Sequence, residues 1–283
     1  NEKLVAITAA MSEGTGIAKF FEQYPDRAFD VGIAEPHAVT FAAGLACRNW
    51  KPVVCLYSTF LQRGFDPMIH DVALQNLPVV FAVDRAGLVG ADGPTHHGAF
   101  DLNYFSMIPR FEIWSPTQKQ ELEFAFNRAM QATGPFAFRY PRGNCPAHSI
   151  APTLDRISEG YRVYGAPLQK ATKVLILVGA LGHRMIQALA SEPDLALVQL
   201  LRVKPVSEEL LLEIANLDQT VELKLFIEGA LMGNPLFEIF QSKFSGRLEQ
   251  RGIPDAFVGH GSLHDLEREL GWDLASLRGW ILG

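Results

Sequence analysis

A carboxylate at the start of a predicted helix is the first candidate for chemistry. Glu35 follows an apolar stretch and a glycine and is followed by Pro36, a residue favoured in the first turn of a helix. One interpretation is a structural carboxylate that the helix dipole stabilises. The other is a carboxylic acid in an apolar site, where desolvation favours the protonated form and permits general acid or base catalysis. The residue pattern leaves both open.

Aromatic and basic side chains follow the next predicted strand. Tyr57 ends that strand, and Phe60 and Arg63 come after it, where a helix is predicted to begin. Ligands of open α/β sheets bind at the carboxyl ends of the strands. Phe60 is therefore either a core residue or a surface on which a flat heterocycle stacks. Arg63 is either a surface charge or a contact for an anion.

The loop 84–98 follows the most apolar strand candidate and is too polar to belong to a core. It combines glycines, which permit close backbone approach to a ligand, with Arg85, Asp92 and the adjacent His96 and His97. Arg85 suits a phosphate or a carboxylate. Because adjacent side chains point apart and the loop has no recognisable ligand spacing, we predict that it does not hold a metal.

Two more arginines lie where the last strand of the first half is predicted to end. Arg139 closes that strand, and Arg142 follows it in the string FRYPRGN. Either residue is suited to link two domains across their junction. Either is equally suited to hold an anionic substrate through charge-assisted hydrogen bonds.

These residues need a scaffold, and short apolar runs that alternate with helical patterns predict one. The pattern indicates an α/β fold of two domains, each a mainly parallel sheet covered by helices. Strands are predicted at 4–8, 53–57, 79–83, 136–139, 174–178, 196–200 and 220–227. Helices are predicted at 36–47, 60–76, 116–132, 181–191, 206–217, 234–243 and 262–270. Ser115 is expected to cap the third of these helices. The irregular segment 140–159 places the boundary near residue 150, between domains 1–150 and 151–283.

Composition excludes several classes of protein. The 283 residues are 48% hydrophobic and 20% charged, which is typical of globular proteins and excludes general disorder. The net charge of −6 argues against a nucleic-acid partner. No apolar run is long enough to span a membrane, and the first residues do not resemble a signal peptide. The three cysteines, Cys47, Cys55 and Cys145, form no CxxC pair, so we expect buried thiols in a reducing compartment. A cytoplasmic location is expected, or the plastid stroma in a plant or alga.

Four strings of the chain closely resemble the 1-deoxy-D-xylulose-5-phosphate synthases, a transketolase-like family of thiamine-diphosphate enzymes. The strings are DVGIAE, YSTFLQRGFD, HDVALQNLPVVFAVDRAGLVGADGPTHHGAFDL and FRYPRGN, and the likeness runs essentially from residue 3 to residue 282. The resemblance implies that 1–150 is a pyrimidine-binding domain and that 151–283 is a transketolase C-terminal-like domain. It also implies a reaction in which pyruvate loses CO2 and joins glyceraldehyde 3-phosphate, in isoprenoid precursor synthesis.

The resemblance assigns roles to individual residues. Glu35 matches the glutamate that bonds N1′ of the cofactor's aminopyrimidine, and Phe60 matches the ring stacked on that pyrimidine. Ile33 is the third cofactor contact that we expect, and His96 is expected to be catalytic together with Glu35. The residues that match positions around the two substrates are Tyr57, Arg85, Asp92, His96 and Arg142.

One part of the family pattern is absent from the sequence. The Gly-Asp-Gly motif that holds the diphosphate and Mg²⁺ does not occur here, because Asp92 and Gly93 are preceded by Ala91. The resemblance therefore implies that Mg²⁺ is held mainly by an N-terminal domain or subunit outside this chain. It also implies a homodimer, and we expect the chain to be inactive and to bind thiamine diphosphate weakly by itself.

The chain departs from the family at several positions. Pro36 and His97 stand where glutamine is usual, and Pro67 falls inside the predicted helix, where it is expected to cause a kink. The segment 226–235 replaces a longer, more glycine-rich loop. Two other functions are therefore considered. One is the small subunit of a two-chain enzyme, transketolase-like or 2-oxo-acid dehydrogenase-like. The other is a non-catalytic paralogue that acts as a binding module.

Overall fold

A computed structural model describes residues 1–144 and 150–283 of the chain. Its strands are β1 (Leu4–Thr8), β2 (Ala28–Asp30), β3 (Lys51–Tyr57), β4 (Val80–Asp84), β5 (Glu112–Trp114), β6 (Phe136–Arg139), β7 (Leu154–Arg156), β8 (Tyr161–Gly165), β9 (Lys173–Val178), β10 (Leu195–Leu200), β11 (Arg202–Lys204), β12 (Glu222–Ala230) and β13 (Leu248–Ile253). Its α-helices are α1 (Ala18–Gln23), α2 (Glu35–Ala46), α3 (Ser58–Leu61), α4 (Phe65–Pro67), α5 (Asp101–Met107), α6 (Lys119–Gln131), α7 (Leu181–Leu189), α8 (Glu208–Ala215), α9 (Leu236–Gln241), α10 (Leu263–Glu269) and α11 (Leu274–Leu282).

The described strands form two sheets, which confirms the predicted α/β fold with mainly parallel strands. The first has the order β11-β5-β6-β4-β3-β1-β2, and every pair in it except β11 with β5 is parallel. All residues of β3 and β4 are buried, as expected for apolar strands covered on both faces. The second sheet has the order β13-β12-β9-β10-β8-β7 and is antiparallel only between β10, β8 and β7.

One strand of the second half of the chain belongs to the sheet of the first half, which was not predicted from the sequence. β11 comes from the second half but pairs with β5 at the edge of the first sheet, where Arg202 lies opposite Trp114. Lys204 strengthens this junction, because its Nζ donates a 2.9 Å hydrogen bond to the carbonyl of Ser106. The domain boundary near residue 150 stays a prediction.

The predicted helix at 60–76 is wrong as a continuous element. The chain there forms α3, a 3₁₀ turn at Gln62–Gly64, α4 and a π-helical segment at Met68–Ala73. Pro67 lies at the junction of α4 and the π-helical segment, where a residue without an N–H interrupts the regular hydrogen-bond ladder. A break in the regular helix is thus present at Pro67, as expected, but the region consists of four short helical segments and not of one kinked helix.

The predicted helix start at Pro116 is also wrong. The helix begins at Lys119, and Gln118 and Glu121 form a reciprocal capping box. Ser115 lies outside the helix, and its N–H donates a 2.7 Å hydrogen bond to the carbonyl of Leu201 in the other half of the chain. A contact between distant residues has overridden the local capping signal.

Two smaller expectations have mixed outcomes. Cys55 is buried, and burial raises the pKa of its thiol to about 12, but Cys47 is exposed, which contradicts the prediction for that residue. Cys145 lies outside the described residues. In the ranges 1–144 and 150–283, the helices are all too short or too polar to cross a bilayer.

Candidate active site

The site is organised by the carboxyl ends of two neighbouring parallel strands. β3 and β4 run side by side in a register that places Tyr57 opposite Asp84. The chain leaves β3 into α3, which carries Phe60, and leaves β4 into the loop that begins with Arg85. This arrangement brings the second and third predicted stretches together at one edge of the sheet, as the strand-end rule predicts.

Arg85 is the centre of a compact polar group. Its guanidinium carbon lies 3.7 Å from the centre of the Tyr57 ring, and its Nη1 donates hydrogen bonds to Gly14 O at 3.2 Å and to Asp84 Oδ2 at 3.3 Å. Burial raises the pKa of Tyr57, and the positive charge of Arg85 opposes that rise. Burial likewise raises the pKa of Asp84, against the hydrogen bond and charge of Arg85.

The backbone at Arg85 is strained. Its φ of 59° lies in the left-handed region that β-carbon-bearing residues rarely adopt. The conformation is held on both sides, because the Arg85 N–H donates to Asp84 Oδ1 at 2.6 Å and the Ala86 N–H donates to Tyr140 O at 3.0 Å. Gly98 crosses this turn so closely that a Cβ there would lie 2.3 Å from Arg85 O. The loop is therefore fixed to the strand ends.

Glu35 is buried at the first position of α2 and pairs with a charged side chain. The Nη1 of Arg63 donates a 2.8 Å hydrogen bond to Glu35 Oε1. The same guanidinium has its carbon 5.2 Å from the centre of the Phe60 ring. Arg63 thus connects the predicted catalytic carboxylate to the predicted stacking ring. Sequence reasoning considered Arg63 but did not place it in the site.

Phe60 is surrounded by the other aromatic candidates. Its ring is nearly parallel to that of Tyr57, with centres 5.6 Å apart, and meets the edge of His96 at 5.3 Å. The loop with His96 is fastened to α3, because Thr59 Oγ1 donates a 2.9 Å hydrogen bond to the carbonyl of Thr95. Glu35, Phe60, Tyr57, His96 and Arg85 therefore form one connected group.

The remaining predicted site residues lie at the margin of this group. Arg142 donates a 3.0 Å hydrogen bond to Asp92 Oδ2, and its charge acts on Asp84 by lowering that carboxyl's pKa. Ile33 lies two residues before Glu35, and 83% of its surface is exposed. The sequence-predicted residues are thus gathered in one region, with Ile33 projecting furthest into solvent.

His96 and His97 have different environments, which fits the expectation that adjacent side chains point apart. His97 is buried, its Nδ1 accepts a 3.2 Å hydrogen bond from the Val89 N–H, and its Nε2 lies 3.0 Å from the carbonyl of Gly259. His96 is half-buried against Phe60. His97 therefore fixes the loop to the second half of the chain, while His96 faces the site.

Arg139 links the two halves of the chain, which was one of the two interpretations of this residue. Its Nε donates a 2.7 Å hydrogen bond to buried Asp101, and its Nη2 donates to the carbonyl of Glu228 at 3.2 Å. The Glu228 carboxylate in turn accepts a 3.0 Å hydrogen bond from the Leu181 N–H, at the start of α7. Burial raises the pKa of Glu228, although these donors oppose the rise. Arg139 and Glu228 connect the two sheets.

Sequence reasoning missed Gly14. A Cβ at this position would lie 1.8 Å from the hydroxyl oxygen of Tyr57, so only glycine permits the observed Tyr57 position. The Gly14 carbonyl also accepts from Arg85. The single available signal was the pair of glycines at 14 and 16 in a polar loop after β1.

The donor set fits the pyrimidine ring of thiamine diphosphate. The Glu35 carboxyl group can share a proton with a ring nitrogen, and the Phe60 ring, against which the Arg63 guanidinium already lies, offers a face for a flat heterocycle. In the ranges 1–144 and 150–283, no three His, Cys, Asp or Glu side chains come together in a way that suits a metal ion.

Comparison with known proteins identifies the family. The sequence profile of the transketolase pyrimidine-binding domain matches residues 1–147. The 1-deoxy-D-xylulose-5-phosphate synthases of Alkalilimnicola ehrlichii and Nitrosomonas europaea are both 44% identical, over 99% and 98% of this chain and 45% of their own lengths. The chain thus spans about half the length of these relatives.

Solved structures share the fold at lower identity. A split-gene transketolase, described as an inactive β4 tetramer, superposes with a TM-score of 0.80 at 23% identity, over 100% of this chain and 91% of that chain. A transketolase from Campylobacter jejuni gives 0.79 at 18% identity, over 99% and 44%. The profile match to residues 1–147 and the 44% identity to the two synthases show that the chain belongs to the transketolase-like family of thiamine-diphosphate enzymes and is similar to its 1-deoxy-D-xylulose-5-phosphate synthases.

Proposed function

We propose that this chain is the pyrimidine-binding and C-terminal part of a synthase that makes 1-deoxy-D-xylulose 5-phosphate. The substrates of the proposed reaction are pyruvate, which loses CO2, and glyceraldehyde 3-phosphate. The observation that carries the proposal is the buried Glu35 carboxylate, connected through Arg63 to the Phe60 ring, at the strand ends that also hold Arg85. The 44% identity to synthases of this name supports the choice within the family.

When bound, thiamine diphosphate would supply the carbanion chemistry by which pyruvate is decarboxylated. In the proposed site, Glu35 bonds N1′ of the pyrimidine and holds or moves the proton at that atom, which requires a carboxyl group. Phe60 supports one face of the ring, and Ile33 is proposed as an apolar contact beside it. The protein contributes position and electrostatics, while the cofactor contributes the chemistry.

The substrate contacts are proposed from charge and position. Arg85 and Arg142 are suited to the phosphate and carboxylate groups, because guanidinium forks bind these anions with charge-assisted hydrogen bonds. Arg85 is turned toward Tyr57 and Asp84, whereas Arg142 is paired with Asp92 and half-exposed. Tyr57 and Asp92 complete the proposed substrate region. His96, half-buried at the edge of Phe60, is proposed as the proton donor or acceptor of the condensation.

Several partners belong to the proposal. Mg²⁺ and the diphosphate group are held by a diphosphate-binding domain or subunit outside residues 1–283. The complete enzyme is proposed to be a homodimer in the cytoplasm. By itself this chain is then inactive, because the strong charge-assisted anchor of the cofactor is missing.

A second candidate is a small subunit of a two-chain transketolase-like enzyme. The observation that favours it is the extent of the match to the split-gene transketolase, of which this chain covers 91%. The intact mass of the native protein separates the two candidates. A mass near 31.3 kDa supports the small subunit, and a mass about twice as large supports the full-length synthase.

The decisive test is turnover with a diphosphate-binding partner supplied, with formation of 1-deoxy-D-xylulose 5-phosphate as the readout. We expect Glu35→Gln to lower turnover at least about 100-fold, because an amide cannot shuttle the proton. Glu22→Gln, an exposed carboxylate on α1, is the matched control and should keep full turnover. Near-normal turnover in Glu35→Gln contradicts the assigned role. Absence of product from the wild type with every partner tried contradicts the synthase proposal.

A further inference from the structure

Arg63 contacts the two residues, Glu35 and Phe60, that the proposed function assigns to the pyrimidine ring. Its Nη1 donates a 2.8 Å hydrogen bond to Glu35 Oε1, and its guanidinium carbon lies 5.2 Å from the centre of the Phe60 ring. A guanidinium is planar, carries its N–H donors in that plane and stacks on aromatic faces. A pyrimidine ring placed against Glu35 and Phe60 would occupy the position that the Arg63 guanidinium holds.

Exposure indicates which partner has room to move. The Glu35 side chain is 4% exposed, whereas the Arg63 side chain is 52% exposed. Glu35 is fixed at the start of α2, but Arg63 lies in the short 3₁₀ turn between α3 and α4. Rotation of its long side chain into solvent uncovers the carboxylate without any change in the helices.

The pair also has a reason to form. A buried carboxylate without a partner is costly, and a guanidinium that donates a hydrogen bond to it removes much of that cost. A pyrimidine that shares a proton with the Glu35 carboxyl group would take the place of the guanidinium. The two partners of Glu35 thus replace each other, and the carboxylate stays hydrogen-bonded throughout.

We propose that Arg63 is a positioning residue that competes with the pyrimidine for Glu35 and Phe60 and so limits the affinity of the site. The inference rests on the proposed function, because it concerns the same carboxylate and ring. Each binding event exchanges the guanidinium for the heterocycle, which keeps Glu35 oriented but weakens binding.

The test is a titration of the wild-type chain and of Arg63→Ala with thiamine, in which ligand-observed NMR measures the affinity. Thiamine is the suitable probe because it carries the pyrimidine but no diphosphate. We expect Arg63→Ala to bind thiamine about fivefold more tightly, on the scale of one half-exposed ion pair and one cation–π contact. Arg63→Lys keeps a charge but not the planar group, and should fall between the two.

Arg27→Ala is the matched control. Arg27 also lies over an aromatic ring, 4.4 Å from the centre of Tyr24, but its hydrogen bonds run to backbone carbonyls of Asn1 and Glu2. Its removal should leave thiamine affinity unchanged. If Arg63→Ala does not fold, Arg63→Gln replaces it with the same expected direction.

The outcomes separate this inference from the proposed function. Thiamine binding that is unchanged or weaker without Arg63, with the wild type still binding, overturns the competition and leaves the proposed function standing. Thiamine that fails to bind the wild type and every Arg63 variant also overturns the competition, whereas the proposed function is tested separately by turnover with a diphosphate-binding partner.

Discussion

Tyr57 and Asp84 lie directly opposite each other at the carboxyl ends of two adjacent parallel strands. The first residues beyond them, α3 with Phe60 and the turn at Arg85, therefore start from the same edge of the sheet. Arg85 closes the gap by packing on Tyr57 and pairing with Asp84. One register between two strands thus determines where both halves of the proposed site meet.

Phe60 should contribute measurably to cofactor affinity. We expect Phe60→Leu to weaken thiamine binding about three- to tenfold, because the leucine keeps apolar volume but loses the aromatic face. Ligand-observed NMR titration gives the affinity. Phe126→Leu, at an exposed position on α6, should have no effect. Equal affinities of Phe60→Leu and the wild type would contradict the stacking role.

Arg85 should bind substrate through its planar fork. In the enzyme reconstituted with a diphosphate-binding partner, we expect Arg85→Lys to raise the KM for glyceraldehyde 3-phosphate about tenfold, because lysine cannot make paired hydrogen bonds. The matched control is Arg110→Lys, which also alters an arginine at a positive φ, of 68°. A normal KM in Arg85→Lys would remove Arg85 from the proposed substrate contacts.

Gly14 should be required for the position of Tyr57. Gly14→Ala places a methyl group where the Tyr57 hydroxyl lies, so we expect a shifted ring and a raised KM for glyceraldehyde 3-phosphate in the reconstituted enzyme. Gly44→Ala is the contrasting change, because a Cβ there meets nothing within 4 Å inside α2. It should stabilise the fold by about 0.5–1 kcal/mol. The KM tests the prediction for Gly14→Ala, and urea unfolding tests the prediction for Gly44→Ala. An unchanged KM in Gly14→Ala contradicts the close contact.

Glu228 should make stability depend on pH. Burial raises the pKa of this carboxyl above its ordinary value of 4.5, so between 4.5 and the raised value the folded chain holds more protons than the unfolded chain. Its contribution to the free energy of unfolding therefore falls as pH rises through that range and stays reduced above it.

Glu228→Gln keeps an acceptor for the Leu181 N–H and removes the charge. We expect the variant to gain stability relative to the wild type as pH rises above 4.5, measured by urea unfolding at pH 4 and pH 8. A stability difference that is the same at both values would show that the burial cost is fully offset by Arg139 and the helix start.

Local pattern predicted much of this molecule. The apolar runs gave β3 and β4 nearly to the residue, and strand ends followed by polar residues located Tyr57, Phe60 and Arg85. Prediction failed where residues far away in the sequence determine the local structure or the role of a residue. Ser115 donates its N–H to Leu201 in the other half of the chain, and Gly14 matters because Tyr57 lies against it. The ambiguity of Arg63 had the same origin, since its role depends on a carboxylate 28 residues earlier.

The strand β11 has a consequence for engineering. A chimaera that exchanges the first half of this protein for a relative's, with the joint near residue 150, keeps Arg202–Lys204 of the original chain against a foreign β5. A first half produced alone would instead present an open strand edge, which invites association between copies. The transplantable unit is therefore discontinuous in sequence, and a graft that respects it must carry both β5 and its later partner.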